Sequence, residues 1–299
     1  MDRVTRAFYE LTFKVRFLEA KANDFQNLFS SIMEKGYPAD FIPVRPWGKA
    51  GDRKNDGYLR SKRMLFQCYG PDEMRSAECV AKIDEDFNGA LPHWRNFFDT
   101  WVFVHNTHAL GPDVTKKLLE LSAARQNPTT IDWGFEALRL ELFRIPDSDI
   151  ASLFGPAPTR DRMISLGLED LEPVLEHIVR LPAPSEPDLR PVPADKIARN
   201  LLSPAASILL TAGMSRADLL RKYFRLQPLD RDRIAQAFRK RYDEARARGA
   251  GPDEVLVELQ RFATGTDYIA PTSRQEAVLA VLAFFFEECD IFERPEEVG

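Results

Sequence analysis

A proline-rich segment divides the chain of 299 residues and limits what either side of it can fold into. The segment LPAPSEPDLRPVPAD, residues 181–195, has prolines at positions 182, 184, 187, 191 and 193. Proline fixes its own backbone and lacks an N–H donor, so this spacing excludes a helix and predicts an extended, semi-rigid connector. Because a domain usually holds about 100–200 residues, we predict two domains, 1–180 and 195–299, joined by a linker over 181–194.

The composition excludes several classes of protein. No apolar run approaches the ~20 residues of a membrane span, and the N-terminus lacks the apolar core of a signal peptide, so we expect a cytoplasmic protein with no membrane partner. The cysteines Cys68, Cys79 and Cys289 have neither disulfide-framework nor zinc-site spacing. The net charge of −5 argues against a protein that coats nucleic acid with its whole surface, but it permits a local basic groove.

The segment before the linker alternates between helical and strand-like patterns, whereas the segment after it is almost entirely helical in pattern. The first part therefore has the order αβββαβα, with a further strand and helix at its end. The predicted helices are 5–35, 72–99, 112–124 and 134–144 before the linker and 194–213, 215–223, 231–248, 252–262 and 274–288 after it; the predicted strands are 41–44, 56–60, 64–69, 101–105 and 129–132.

The stretch GKAGDRKNDGY, residues 48–58, leads into the first strand of a predicted hairpin. Asp56 falls at the start of that strand, and Gln67 and Tyr69 lie two apart on its partner, so their side chains share one side of the hairpin. A carboxylate and a side-chain carbonyl that converge from adjacent strands are oxygen ligands of the kind that hold Mg²⁺. The spacing predicts a metal site at Asp56 and Gln67.

The same region is locally basic. Residues 45–63 contain seven Lys or Arg residues against two Asp, a local charge of +5 within an acidic protein. This balance is typical of an edge that faces a phosphate backbone. The nucleic-acid-binding candidates are Lys49, Arg53, Lys54, Arg60, Lys62 and Arg63.

The order of elements, the GDxxxDG turn at a strand start and the glutamine on the next strand resemble the restriction-endonuclease-like superfamily, particularly Mrr-like nucleases. The resemblance implies an α/β nuclease domain that uses Mg²⁺ or Mn²⁺, with Asp56 as the metal-binding aspartate and Gln67 as the second ligand. Tyr69 stands where these nucleases have lysine, and Gln26 stands at the first-helix glutamate, unless Glu19 or Asp24 takes that role. Lys82, in VAKIDEDF, is the candidate for a catalytic lysine that has moved to the next helix.

A second resemblance covers the chain from this motif to its end. GDRKNDGY, FQCYGP, KIDEDFNGA and the terminal AVLAFFFEECDIFERP are similar to effector or accessory proteins of bacterial ABC-three-component systems, to which Lamassu-type defence is related. The resemblance implies antiphage or anti-plasmid defence, DNA as the target, and two protein partners: an SMC/Rad50-like ATPase and a small middle component. It leaves a homo-oligomer open.

Each of these residues also has a structural explanation. Asp52 and Asp56 are explained as turn or strand-end caps, Gln67 as a hydrogen-bonded sheet residue and Lys82 as a solvated helix lysine. The leading hypothesis is a metal-dependent endonuclease effector that uses Asp56, Gln67 and Lys82. The alternative is a catalytically inactive nuclease-fold subunit that binds nucleic acid or acts as a scaffold, which the absence of the usual glutamate and lysine favours.

Overall fold

The chain forms two compact units, one α/β and one helical, in a computed structural model that describes residues 1–45, 53–124, 128–180, 196, 200–265, 272–288 and 291–292. The α/β unit is Arg16–Leu153, and the helical unit combines Met1–Val15 with Phe154–Gly299. The boundaries of these units differ from those of the predicted domains, 1–180 and 195–299. The predicted division into domains stays a prediction. The predicted linker, 181–194, and the candidates Lys49 and Asp52 lie outside the described residues.

The α/β unit is built on a mixed five-stranded sheet in the order β1-β2-β3-β4-β5. Strand β2 pairs antiparallel with β1 and β3, while β3, β4 and β5 run parallel to one another. This arrangement confirms the predicted hairpin and the later strands. The strands are β1 (Phe41–Pro43), β2 (Gly57–Leu59), β3 (Met64–Tyr69), β4 (Thr100–His105) and β5 (Thr129–Trp133).

Helices cover both faces of this sheet. Successive side chains of β3 point to opposite faces, so the strand packs against helices on both sides. Phe66 packs on one face against Phe29 of the second helix, with 5.2 Å between ring centroids. Leu65 points to the other face and joins the core of Ile83 and Leu118. The helices assigned from the start of the chain to the end of this unit are α1 (Arg3–Glu19), α2 (Ala22–Gly36), α3 (Ser76–Trp94), α4 (Pro112–Ala123), α5 (Phe135–Leu142) and α6 (Asp147–Phe154).

The single helix predicted over 5–35 is wrong, because the structure has two helices, α1 and α2. The first helix ends at Glu19 and the second begins at Ala22, which has a left-handed backbone with φ of 44°. Its N–H donates to the carbonyl of Gly70 at 2.6 Å, so a partner distant in sequence satisfies the helix start. No glycine or proline marks this break.

The helical unit packs its helices around α13, whose residues from Ala277 to Phe286 are all buried. Gly213 of α9 permits a close approach, because a Cβ at this position would lie 2.4 Å from the carbonyl oxygen of Leu279. The helical prediction for this region is confirmed, but the helix predicted over 194–213 is too long: residues 200–203 are not helical, Leu201 has a left-handed backbone with φ of 52°, and α9 begins at Pro204. The helices are α7 (Arg160–Ser165), α8 (Leu168–Val179), α9 (Pro204–Met214), α10 (Ala217–Leu226), α11 (Pro228–Ala247), α12 (Pro252–Thr264) and α13 (Thr272–Glu287).

Two further findings complete the fold. The sequence patterns predicted no element between 145 and 180, where the structure has helices α6, α7 and α8. None of the helices in the described ranges combines the length and the apolarity that crossing a membrane requires.

Candidate functional site

Asp56 lies immediately before β2 and is buried. Its Oδ1 accepts a hydrogen bond from Nε2 of Gln26 at 2.7 Å, and its Oδ2 accepts one from the backbone N–H of Cys68 at 2.7 Å. The first contact joins the strand start to α2, and the second joins it to the end of β3. Asp56 is therefore held by one residue from each neighbouring element, and Gln26 is the helix residue beside it.

The local sequence explains why the chain turns at this point. The side chain of Asn55 accepts the N–H of Gly57 at 2.9 Å, which closes a tight turn around Asp56. Gly57 is needed because a Cβ there would meet the ring of Phe41 at 2.4 Å. The N–H of Asp56 donates to the carbonyl of Phe66 at 2.9 Å, so the aspartate backbone stays tied to β3.

Gln67 lies on the face of the sheet that α3 covers. It is opposite Phe103 in the parallel pairing of β3 with β4, and Phe103 belongs to the core formed with α3 and α4. The Oε1 atom of Gln67 is buried and has no hydrogen-bond partner in the part of the chain that the structure describes. Such an atom is uncommon, because a buried acceptor without a donor costs about 1–3 kcal/mol.

The structure brings the backbones of Asp56 and Gln67 to adjacent positions, because Gly57 pairs with Phe66. Their side chains differ in surroundings: the hydrogen bond from Gln26 places the Asp56 carboxylate toward α2, whereas Gln67 lies on the α3 side. The oxygens fit Mg²⁺ by their chemistry, since each carboxylate oxygen accepts more than one contact and the Gln67 oxygen lacks a donor. Within the described ranges, no three His, Cys, Asp or Glu side chains gather as metal ligands.

Lys82 lies on α3 and contacts the buried carboxylate of Asp86, with Nζ 2.8 Å from Oδ1. Lys54, from the loop before β2, reaches the same Oδ1 at 3.0 Å and also bonds Glu85. Burial acts to lower the pKa of Lys54, but its hydrogen bonds with Glu85 and Asp86 outweigh burial and raise it. The predicted Lys82 and the predicted Lys54 thus meet at one carboxylate, Asp86, which no sequence motif had indicated.

The other basic candidates lie on exposed positions of the same loop and turn. Arg63 bonds Asp99, with Nε 2.7 Å from Oδ2, and this bond raises the pKa of Arg63. The ammonium of Lys62 lies 5.3 Å from the ring centroid of Tyr37. Arg53 and Arg60 have exposed side chains. These cations follow the loop and turn that flank β2.

A further polar group, which sequence motifs did not indicate, lies at the ends of β4 and β5. His105 is buried, with Nε2 3.3 Å from Oδ2 of Asp132 and Nδ1 2.8 Å from Oγ1 of Thr107. The bond with His105 lowers the pKa of Asp132. The His-x-Thr spacing is a signal for the Thr107 contact, whereas the pairing with Asp132 depends on strand register.

The two described cysteines do not provide a reactive thiol. Burial raises the pKa of Cys68, and the charge of Asp56 raises it further. Burial also raises the pKa of Cys79, to about 11. Both side chains therefore remain thiols at neutral pH, and the thiolate is the nucleophilic form.

Comparison with known families gives one match, in the helical unit. The family model "C-terminal domain 10 of the ABC-three component (ABC-3C) systems" matches residues 169–293, which is less than half of the chain. This match supports the predicted resemblance to proteins of ABC-three-component systems. No curated protein and no solved structure matches the chain.

Proposed function

We propose that the chain is a component of an ABC-three-component defence system and that its α/β unit is a metal-dependent DNA endonuclease of the restriction-endonuclease-like class. The match over residues 169–293 supports the system, and the predicted αβββαβα order supports the class of fold. The single observation that carries the endonuclease proposal is the orphaned Oε1 of Gln67, whose backbone lies at the strand position next to Asp56.

The polar groups of this region have separate tasks in the proposal. Asp56 and Gln67 would hold Mg²⁺ or Mn²⁺, which would activate water and neutralise charge on a phosphodiester. Gln26 and the N–H of Cys68 keep the Asp56 carboxylate in place. Lys82, as an ammonium near the phosphate, would stabilise the charge that develops during hydrolysis.

The two units of the chain bind different partners in this proposal. The cations Arg53, Lys54, Arg60, Lys62 and Arg63 would contact the phosphate backbone of DNA, with an affinity that falls as salt rises. The helical unit would bind the SMC/Rad50-like ATPase and the small middle component of the system. Such binding would restrain the endonuclease until an invader is sensed.

The test is cleavage of supercoiled plasmid by the purified full chain in Mg²⁺ or Mn²⁺, alone and with the ATPase partner. Asp56→Asn and Gln67→Leu should abolish cleavage, and EDTA should do the same for the wild type. Asp72→Asn is the matched control, because Asp72 is exposed on the loop after β3. Cleavage that survives in Asp56→Asn would contradict the proposed site.

A second function, a catalytically inactive nuclease-fold subunit that binds nucleic acid, is favoured by one observation. Both oxygens of Asp56 already accept hydrogen bonds, from Gln26 and from Cys68. Tyr69 in place of the usual lysine points the same way. Under this alternative the wild type binds duplex DNA but leaves plasmid intact under every condition of the cleavage test.

A further inference from the structure

The side chain of Asp86 is fully buried on α3, and its carboxylate is used unevenly. Oδ1 contacts the ammonium groups of both Lys82 and Lys54, whereas Oδ2 is buried without a hydrogen-bond partner in the described chain. Here the two cations are drawn to one point.

The two lysines come from different elements, and the fold makes room for their meeting. Lys54 belongs to the loop before β2 and has a left-handed backbone with φ of 62°. Its side chain passes over Gly89 of α3, where a Cβ would lie 2.9 Å from Cγ of Lys54. The indole Nε1 of Trp94 donates to the carbonyl of Arg53 at 3.1 Å, which fixes the same loop against α3.

The side chains of both lysines are partly exposed to solvent. The side chains are 31% exposed for Lys54 and 32% exposed for Lys82, although the side chain of Asp86 between them is fully buried. Since both nitrogens contact one oxygen, they lie closer together than the sum of 2.8 and 3.0 Å. Two cations at such a distance repel each other, and their attraction to the shared anion offsets that repulsion.

The chemistry of this pair fits a phosphate group. An ammonium has three N–H donors, and Asp86 takes one from each lysine, which leaves Lys82 with donors for a second anion. Gln67 and Tyr69 lie on the sheet face that α3 covers. Burial raises the pKa of Tyr69, and nearby acidic groups, Asp86 among them, raise it further. The pair is therefore on the same side of the sheet as Gln67.

We propose that Lys54 and Lys82 form a two-lysine phosphate site for nucleic acid and that Asp86 is the positioning residue that holds them together. The inference rests on the proposed function for its ligand class, and it adds a residue that acts through the lysines. Glu85 bonds Lys54. In this proposal a phosphate oxygen would replace Glu85 as the second partner of Lys54.

The effect of Asp86→Asn on duplex affinity has opposite signs if Asp86 positions the lysines and if it acts only through its charge. The variant keeps the side-chain shape but removes one negative charge, so electrostatics alone predicts equal or tighter binding of a polyanion. Positioning predicts weaker binding, by about tenfold, because the lysines separate, and a salt dependence with about one phosphate contact fewer. Affinity for a duplex oligonucleotide is measured with the full chain in EDTA over a series of salt concentrations.

Asp84→Asn is the matched control, because Asp84 lies on the same helix and also pairs with a lysine, Lys117, at 2.7 Å. It should bind the duplex at least as tightly as the wild type. Lys54→Met and Lys82→Met should each weaken binding about tenfold, and each should weaken it less in the Asp86→Asn background than in the wild type. Gly89→Ala should displace Lys54 without unfolding α3, since alanine favours a helix.

The outcomes separate this inference from the proposed function. If the wild type binds the duplex and neither Asp86→Asn nor Gly89→Ala weakens that binding, the two-lysine site is overturned and the proposed function is not. A wild type that binds no duplex overturns both. Weaker binding in Asp86→Asn with an unchanged melting temperature, together with a wild type that cuts no plasmid, supports the two-lysine site and overturns the endonuclease.

Discussion

Two buried aspartates, one in each unit, show how differently the units use a carboxylate. Asp253 in the helical unit accepts Nζ of Lys14 at 2.8 Å on Oδ2 and the N–H of Ser203 at 3.0 Å on Oδ1. Asp86 in the α/β unit gathers two lysines on Oδ1 and leaves Oδ2 without a partner among the described residues. Asp253 is satisfied on both oxygens, and Asp86 is not.

The difference separates a contact that holds the fold from one that arranges cations. Asp253 joins the first helix to the start of α9, so its loss leaves a backbone donor and an ammonium without their acceptor. Asp86 joins two side chains that are each about one third exposed, so water can replace it as their partner. We expect stability to depend on Asp253 and nucleic-acid binding to depend on Asp86.

The largest effect should come from the centre of the helical unit. Phe285→Ala removes a fully buried ring that packs against Phe224 and Phe238, and it should cost about 3–5 kcal/mol of unfolding free energy. Urea unfolding followed by circular dichroism measures this loss. A cost below about 1 kcal/mol would show that this cluster does not hold the unit together.

The aspartates themselves test the comparison directly. Asp253→Asn should cost about 1–3 kcal/mol and leave duplex affinity unchanged, because asparagine has one acceptor oxygen for the two donors of Lys14 and Ser203 and lacks the charge that pairs with Lys14. Asp86→Asn should cost less than about 1 kcal/mol, because water can replace the carboxylate as the partner of two lysines that are each about one third exposed. Urea titrations give the stability of each variant, and binding curves give its duplex affinity. Equal stability losses in the two variants would contradict the difference drawn between Asp253 and Asp86.

The buried Glu276 should make the stability of the helical unit depend on pH, with a smaller effect than the substitutions above. Burial raises the pKa of Glu276 above 4.5, although the N–H of Thr159 and the charge of Arg162 oppose this. The folded state therefore holds the proton longer than the unfolded state, and stability falls as pH rises through 4.5 toward the folded pKa. Glu276→Gln should remove this fall and should be more stable than the wild type at neutral pH.

Melting temperatures at a series of pH values, from about 4 upward, check the Glu276 prediction. The two proteins should converge at the acid end, where the wild-type carboxyl is protonated in both states. A wild type that gains on the variant as pH rises would reverse the expected sign.

The smallest effect is expected on the surface of the same unit. Leu226 and Leu229 are 81% and 72% exposed, on either side of the junction of α10 and α11. Leu226→Ser and Leu229→Ser should each change the unfolding free energy by no more than about 0.5 kcal/mol. A larger loss in the urea titration of the isolated chain would mean that these leucines pack within the fold.

Much of the fold could be predicted because local patterns carry it. The hairpin pattern of 56–60 with 64–69 and the apolar run of 101–105 predicted β3 and β4, and the helices after the linker were predicted within a few residues at most ends. The break between α1 and α2 could not be predicted, since Gly70 satisfies it from another part of the chain. Tertiary contacts, and no local residue, set that boundary.

The site was harder to predict than the fold. Asp56, Gln67 and Lys82 follow from motif and spacing, and their roles stay predictions. The meeting of Lys54 with Asp86 depends on how a loop crosses α3, which no spacing along the chain reveals. The direction of the Asp56 carboxylate toward Gln26 is also a tertiary property, although Gln26 itself was singled out by its place in the first helix.

The core of the helical unit draws on both sides of the proline-rich segment, and this has a practical consequence. Val4, Leu11 and Leu175 belong to the same cluster as Leu209 and Phe285. A fragment that starts at residue 196 would therefore lack part of its own interior. Conversely, a backbone cut between 181 and 195 would leave two pieces that share one core, so we expect them to copurify as a split protein rather than separate.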